Sequence, residues 1–97
     1  MKTHIKALMR VVPEEDGGRH GPFGAGYRPH LVAKDSDFWL AVTVVNLEAG
    51  RLIYPGDEVT LEMELDYPTQ VDYSSLCRGA KFSMREGSKT IAVGAIL

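Results

Sequence analysis

The segment Gly17 to Pro29, GGRHGPFGAGYRP, sets Arg19 and His20 directly after a glycine pair, and a second charged element, Arg85-Glu86-Gly87, lies near the other end of the chain. A guanidinium is a planar fork of donors matched to phosphate oxygens, so arginines on two neighbouring loops could grip one phosphate track. The N–H of Gly87 could add a donor with no side chain in the way. The same residues also permit a purely internal arrangement, with Arg85 paired to Glu86 or another acid and Arg19 and His20 folded back onto loop carbonyls. Residue types alone leave both arrangements open. Glycine and proline punctuate the first segment so densely that it reads as a shaped loop rather than a slack one.

Other chemistry is weakly supported. Glu58, Glu62, Glu64 and Asp66 share a strand face and carry the carboxylates that calcium or magnesium would need, but nothing converges on them, and a solvated outer face is expected. His4, His20 and His30 lack ligand spacing, so no metal is expected. Cys77 is the only cysteine, which excludes an intrachain disulfide and a four-cysteine zinc site. Ser74, Ser75, Ser83 and Ser88 stand in no nucleophile-elbow pattern, and the chain is read as a non-enzyme with no catalytic residues and no cofactor. No GxxxxGK followed by Ser or Thr occurs, so no nucleotide partner is expected.

The whole chain bounds these readings. Its 97 residues suit one domain, 1–97, and 44% hydrophobic with 25% charged residues is an ordinary globular composition. Eleven basic residues against 13 acidic ones give a net charge of −2, so any nucleic-acid contact must come from a local basic cluster. No apolar run has the length of a signal peptide or a membrane span, and a cytoplasmic location with no membrane partner is expected.

The elements that must position these residues are strands. Ile5, Ala7, Met9 and Val11 alternate with Lys6, Leu8, Arg10 and Val12, and Pro13 closes the run. His30 to Lys34 is a short strand, followed by an Asp35-Ser36-Asp37 turn and an aromatic, β-branched strand from Phe38 to Asn46. One of Phe38 and Trp39 should face the core, leaving the other as a docking surface beside Leu40. Leu47 to Asp57 is a connection with a Pro55-Gly56 turn; Val59, Leu61, Met63 and Leu65 then alternate with Thr60, Glu62, Glu64 and Asp66. Thr69 to Gly79 reads as a loop with a helical turn around Ser74 to Cys77. Ala80 to Arg85 and Thr90 to Ile96 form a hairpin about Glu86 to Lys89, and strands are expected to begin at Met1 and end at Leu97. Six strands without a helix imply a small antiparallel barrel or sandwich.

Taken together, GGRH with GPF and GYRP, the PGD turn with the alternating strand after it, and FSMREG with the final TIAVGAIL strand resemble, in order and spacing, the C-terminal (third) β-barrel domain of the translation elongation factor Tu family. The resemblance favours a six-stranded antiparallel closed β-barrel over a sandwich. It implies a module related to translation factors, which the missing phosphate loop makes a free-standing third domain by expectation, with Arg19 and His20 in the first loop and Arg85, Glu86 and Gly87 at the last hairpin contacting a tRNA stem. Tyr27 and Arg28, in the GYRP element, would shape the barrel end. Departures from the family pattern fall at Gly21, at His30, from Asp37 to Gly50 and from Thr69 to Arg78. The divergent 37–50 region supports an alternative: a protein-interaction domain docking on a translation factor, an exchange factor or its own copy.

Overall fold

Period-two burial organises most of the strands. The computed structural model describes residues 3–97, so the strand start expected at Met1 lies outside the described residues. Six strands form: β1 His4–Val11, β2 His30–Ala33, β3 Leu40–Val45, β4 Glu58–Leu65, β5 Lys81–Glu86 and β6 Lys89–Ile96. Every neighbouring pair is antiparallel, and the order β1-β4-β3-β2-β5-β6 closes on itself as a barrel. Closure pairs both edges of every strand and leaves no row of backbone donors open.

Alternation is strict where the sequence is most regular. In β1 and β4 every second residue is buried, so Ile5, Ala7, Met9 and Val11 interlock with Val59, Leu61, Met63 and Leu65 inside the barrel. Leu31, Leu40, Val42, Val44, Phe82, Met84 and Ile91 complete the filling. At about 25 cal/mol per Å² of apolar surface removed from water, this filling is the main force holding the strands together. Leu76, from the long 66–80 loop, is 2% exposed and joins the same core. The expected helical turn near it is a simple turn, closed by the Leu76 N–H donating to the Tyr73 carbonyl at 2.9 Å.

Three local departures from the strand expectations have physical causes. β3 begins at Leu40, not at Phe38, because Asp35 adopts φ 68° and the Ser36 hydroxyl accepts from the Phe38 N–H at 3.2 Å, prolonging the turn. Neither aromatic therefore faces the core: Phe38 is 71% exposed and Trp39 45%. Between Met84 and Arg85 the β5–β6 register slips, which turns both Ile91 and Ala92 inward and closes the hairpin on Gly87 and Ser88 alone. With φ 58° at Gly87, the connection fits a type II′ hairpin, which takes glycine at its first central position. The third is a 3-10 turn at Glu14–Asp16, a stretch to which the sequence assigns no element, and it ends at Gly17. Its three acidic residues suit the partial positive charge of a helical N-terminus.

Candidate functional site

The loop from Gly17 to Pro29 is fastened along its length. The Gly18 N–H donates to the Pro13 carbonyl at 3.0 Å, and an added Cβ at Gly18 would stand 2.0 Å from the Val12 carbonyl oxygen. Only glycine fits against that strand end. Phe23 exchanges backbone hydrogen bonds with Ile53 at 3.0 and 2.8 Å. The Gly26 N–H donates to Val44 and the Val44 N–H to Tyr27, so the GYRP element lies along β3 as an extension of its pairing with β2.

This fastening carries Arg19 to the β5–β6 hairpin. Its Nε donates to Glu86 Oε1 at 2.8 Å, and its Nη1 to the carbonyls of Gly21 and Pro22 at 3.0 and 2.7 Å. The guanidinium also lies 4.8 Å from the centre of the Tyr27 ring, and Tyr27 stacks on buried Phe23 at 4.7 Å. The Tyr27 hydroxyl donates to the same Glu86 oxygen at 2.5 Å. Burial in the first place, and the neighbouring Glu86 carboxylate in the second, push the Tyr27 phenol well above its ordinary range. The Glu86 carboxyl is held below its ordinary range, chiefly by the Tyr27 hydroxyl and then by Arg19. Lys89 adds a long contact from the hairpin to the Gly18 carbonyl at 3.4 Å.

The other site residues lie close by under different conditions. His20 Nδ1 is 2.9 Å from Glu14 Oε2, and its side chain is 83% exposed. Arg85 does not pair with Glu86. Its Nε donates to the Ser83 hydroxyl at 2.9 Å, and its guanidinium lies over the Trp39 ring at 5.4 Å, with His30 edge-on to the same ring at 5.9 Å. All five expected residues thus fall at one barrel end, but Arg19 and His20 are held by protein partners. Tyr27, Glu14 and Trp39 complete the site and were missed as members. Tyr27 and Trp39 act through contacts with the distant residues Glu86 and Arg85, and Glu14 through a side-chain contact with His20 six residues on, for none of which a single sequence carries a periodic signal.

The acidic wall has local partners. Glu64 faces His4 at 3.4 Å, Glu62 accepts from Asn46, and Asp66 accepts from Thr43 at 2.6 Å and from Arg28 at 3.3 Å. Among the described residues, no group of three or more His, Cys, Asp or Glu could hold a metal ion, and no helix is long and apolar enough to cross a membrane.

The geometry joins the elements that carried the resemblance, the glycine-rich loop and the final hairpin, on a closed six-stranded barrel. A comparison with protein families matches residues 1–97 to the model described as the elongation factor Tu C-terminal domain. With the whole sequence covered and the barrel closed, the chain belongs to the elongation factor Tu C-terminal domain family and is a translation-factor-related module.

Proposed function

We propose that the chain acts as a non-enzymatic, cytoplasmic binding module that engages structured RNA, specifically a tRNA stem, through the barrel end built from the 17–29 loop and the β5–β6 hairpin. The supporting observation is the Arg19–Glu86 ion pair at 2.8 Å, which locks those two segments into one surface. Arg19 and Glu86 then act as a brace, and the contacts to RNA fall to the terminal nitrogens of Arg85, the backbone at Gly87 and the outward edge of the His20 ring, whose Nδ1 is engaged by Glu14. A-form duplex is read by phosphate contacts and shape, which a rigid, sparsely charged edge of this kind can supply.

Titration of the protein with bulk tRNA, followed by gel shift over a range of salt, tests the reading. Saturable binding is expected, with Arg85→Ala weakening it and lowering the magnitude of the log affinity against log salt slope by about 0.7 to 0.9 for the lost contact. Binding no tighter than to unrelated duplex DNA would sink it. A second reading draws on the exposed Phe38 and Trp39, since aromatic residues beside an arginine are common anchors of protein interfaces. It makes the partner a translation factor, an exchange factor or a second copy. Light scattering and co-purification in the absence of RNA would reveal such a partner.

A further inference from the structure

The hairpin end continues around the outside of the barrel into a cleft of about 340 Å³ over β2 and β5. Lys34, Lys81 and Arg85 line it with the hydroxyl side chains Ser36 and Ser83, and Asp35 is its one carboxylate. The Lys34 N–H donates to the Lys81 carbonyl at 2.8 Å, so the main chain holds two lysines side by side across the strands. None of the three cations is in an ion pair among the described residues, whereas Glu62, Glu64 and Asp66 of the opposite wall have partners. In a chain of net charge −2, three cations set against the single carboxylate of Asp35 leave a local excess of positive charge that an anion from outside would stabilise.

A second hollow adjoins the first. Arg85, at one edge of the cleft, stacks over Trp39, and Trp39 with Phe38, Leu40, Gln70, Val71 and the carboxylate of Asp72 lines a space of about 260 Å³. Exposed aromatic walls with a side-chain amide at the rim match a nucleobase, which stacks through its faces and is read along its edge. A cationic track leading into an aromatic slot follows the alternation of phosphate and base along a single strand. An apolar protein partner would instead leave three cations desolvated without compensation.

We infer that the cleft holds phosphates of an unpaired RNA segment and that the Phe38–Trp39 hollow takes one of its bases. The RNA recognised is therefore a stem with a single-stranded extension. This deepens the proposed function and rests on its reading of the barrel end as RNA-facing.

Trp39 is the only tryptophan, so its fluorescence reports base stacking directly. The probes are a blunt RNA hairpin, the same hairpin with a short single-stranded overhang, inorganic polyphosphate and polyglutamate. The overhang should quench Trp39 and tighten binding about tenfold, near the low end of what one stacked base contributes. Phe38→Ala should abolish that advantage while leaving the blunt hairpin's affinity unchanged. The double variant Lys34→Ala, Lys81→Ala should lower the salt-slope magnitude by about 1.4, at about 0.7 per single-strand phosphate contact. Equal binding of both hairpins without quenching overturns this inference and leaves the stem reading standing. Quenching by the overhang with no affinity for the blunt hairpin supports the inference and removes the stem reading. If neither hairpin binds, both fall. Competition by polyglutamate as effective as by the overhang hairpin would make the cleft a seat for an acidic protein, and polyphosphate binding with no effect of the overhang would reduce it to a plain anion site; either outcome overturns the RNA assignment.

Discussion

Arg19 and Arg85 stand on the two sides of one hairpin end, yet the protein uses them in opposite ways. Arg19 directs its Nε and one terminal nitrogen to three internal acceptors and lies against Tyr27, and its side chain is only 22% exposed. Arg85 spends a single donor on Ser83 and rests on an exposed tryptophan. The difference lies in what each arginine can find within reach. The 17–29 loop presents carbonyls and brings Tyr27 and Glu86 together, while the β2–β5 wall presents hydroxyls and more cations. A motif arginine is thus structural or available according to its acceptors, and residue type does not decide which.

Breaking the closed side at its backbone should have the largest effect. An alanine at Gly18 would bring Cβ to 2.0 Å from the Val12 oxygen and 2.8 Å from the Pro13 oxygen, both main-chain atoms that cannot swing aside. Gly18→Ala should cost more than about 2 kcal/mol in urea denaturation, in the upper range for single substitutions. Parent-like stability would mean that the loop does not lie against the end of β1.

Arg19→Ala comes next. It leaves Glu86 with the Tyr27 hydroxyl alone and two loop carbonyls without their donor, and a partly buried group left unpaired costs about 1 to 2 kcal/mol. For a domain of this size each kcal/mol corresponds to about 4 to 8 °C in Tm, readily measured by thermal circular dichroism. Arg19→Lys should rescue little, because an ammonium cannot reach the same acceptors as a planar fork. A lysine variant as stable as the parent would show that charge alone holds the corner.

A smaller effect should appear with pH. Because the folded-state pKa of Glu86 is depressed, the folded protein binds this proton more weakly than the unfolded chain does. Its contribution is therefore present above the ordinary glutamate value of about 4.3 and is lost as pH falls through the depressed value. The stability difference between the parent and Glu86→Gln should shrink from about pH 7 to about pH 3, modestly, since the side chain is 45% exposed. A difference that stays constant over that range would remove Glu86 as the titrating brace.

The contrast between the two sides also shows what the sequence made legible. β1 and β4 were readable nearly to the residue, because alternating burial is written into their side-chain types. The start of β3 was not: FWLAVTVV has strand composition throughout, and the turn chemistry of Asp35 and Ser36 overrode it. The register slip that buries both Ile91 and Ala92 left no periodic trace, and Leu76 entered the core from a segment that reads as loop. For the site, the resemblance indicated which two segments serve one end, since no local pattern links residue 19 to residue 86. It did not indicate that Arg19 turns inward or that Lys34 and Lys81 lie beside Arg85. Those depend on where the closed barrel sets each strand's outer face.

Arg85→Ala should have the smallest effect on stability, and that makes it the sharpest test of the comparison. Its removal leaves only the Ser83 hydroxyl without a donor and strips a cation from an exposed ring, an interaction of about 0.5 to 1 kcal/mol at such sites. The expected loss is thus below about 1 kcal/mol. Trp39 emission should nonetheless change, because the guanidinium leaves the face of the only tryptophan. A double-mutant cycle with Trp39→Phe would isolate the stacking contribution. The comparison requires a clear gap, with Arg19→Ala costing more than Arg85→Ala and the Arg85 variant showing the larger change in Trp39 emission. If the two substitutions destabilise equally, Arg85 is as internally committed as Arg19. The wall it occupies would then be part of the barrel's own bracing, with no spare donors to offer a ligand.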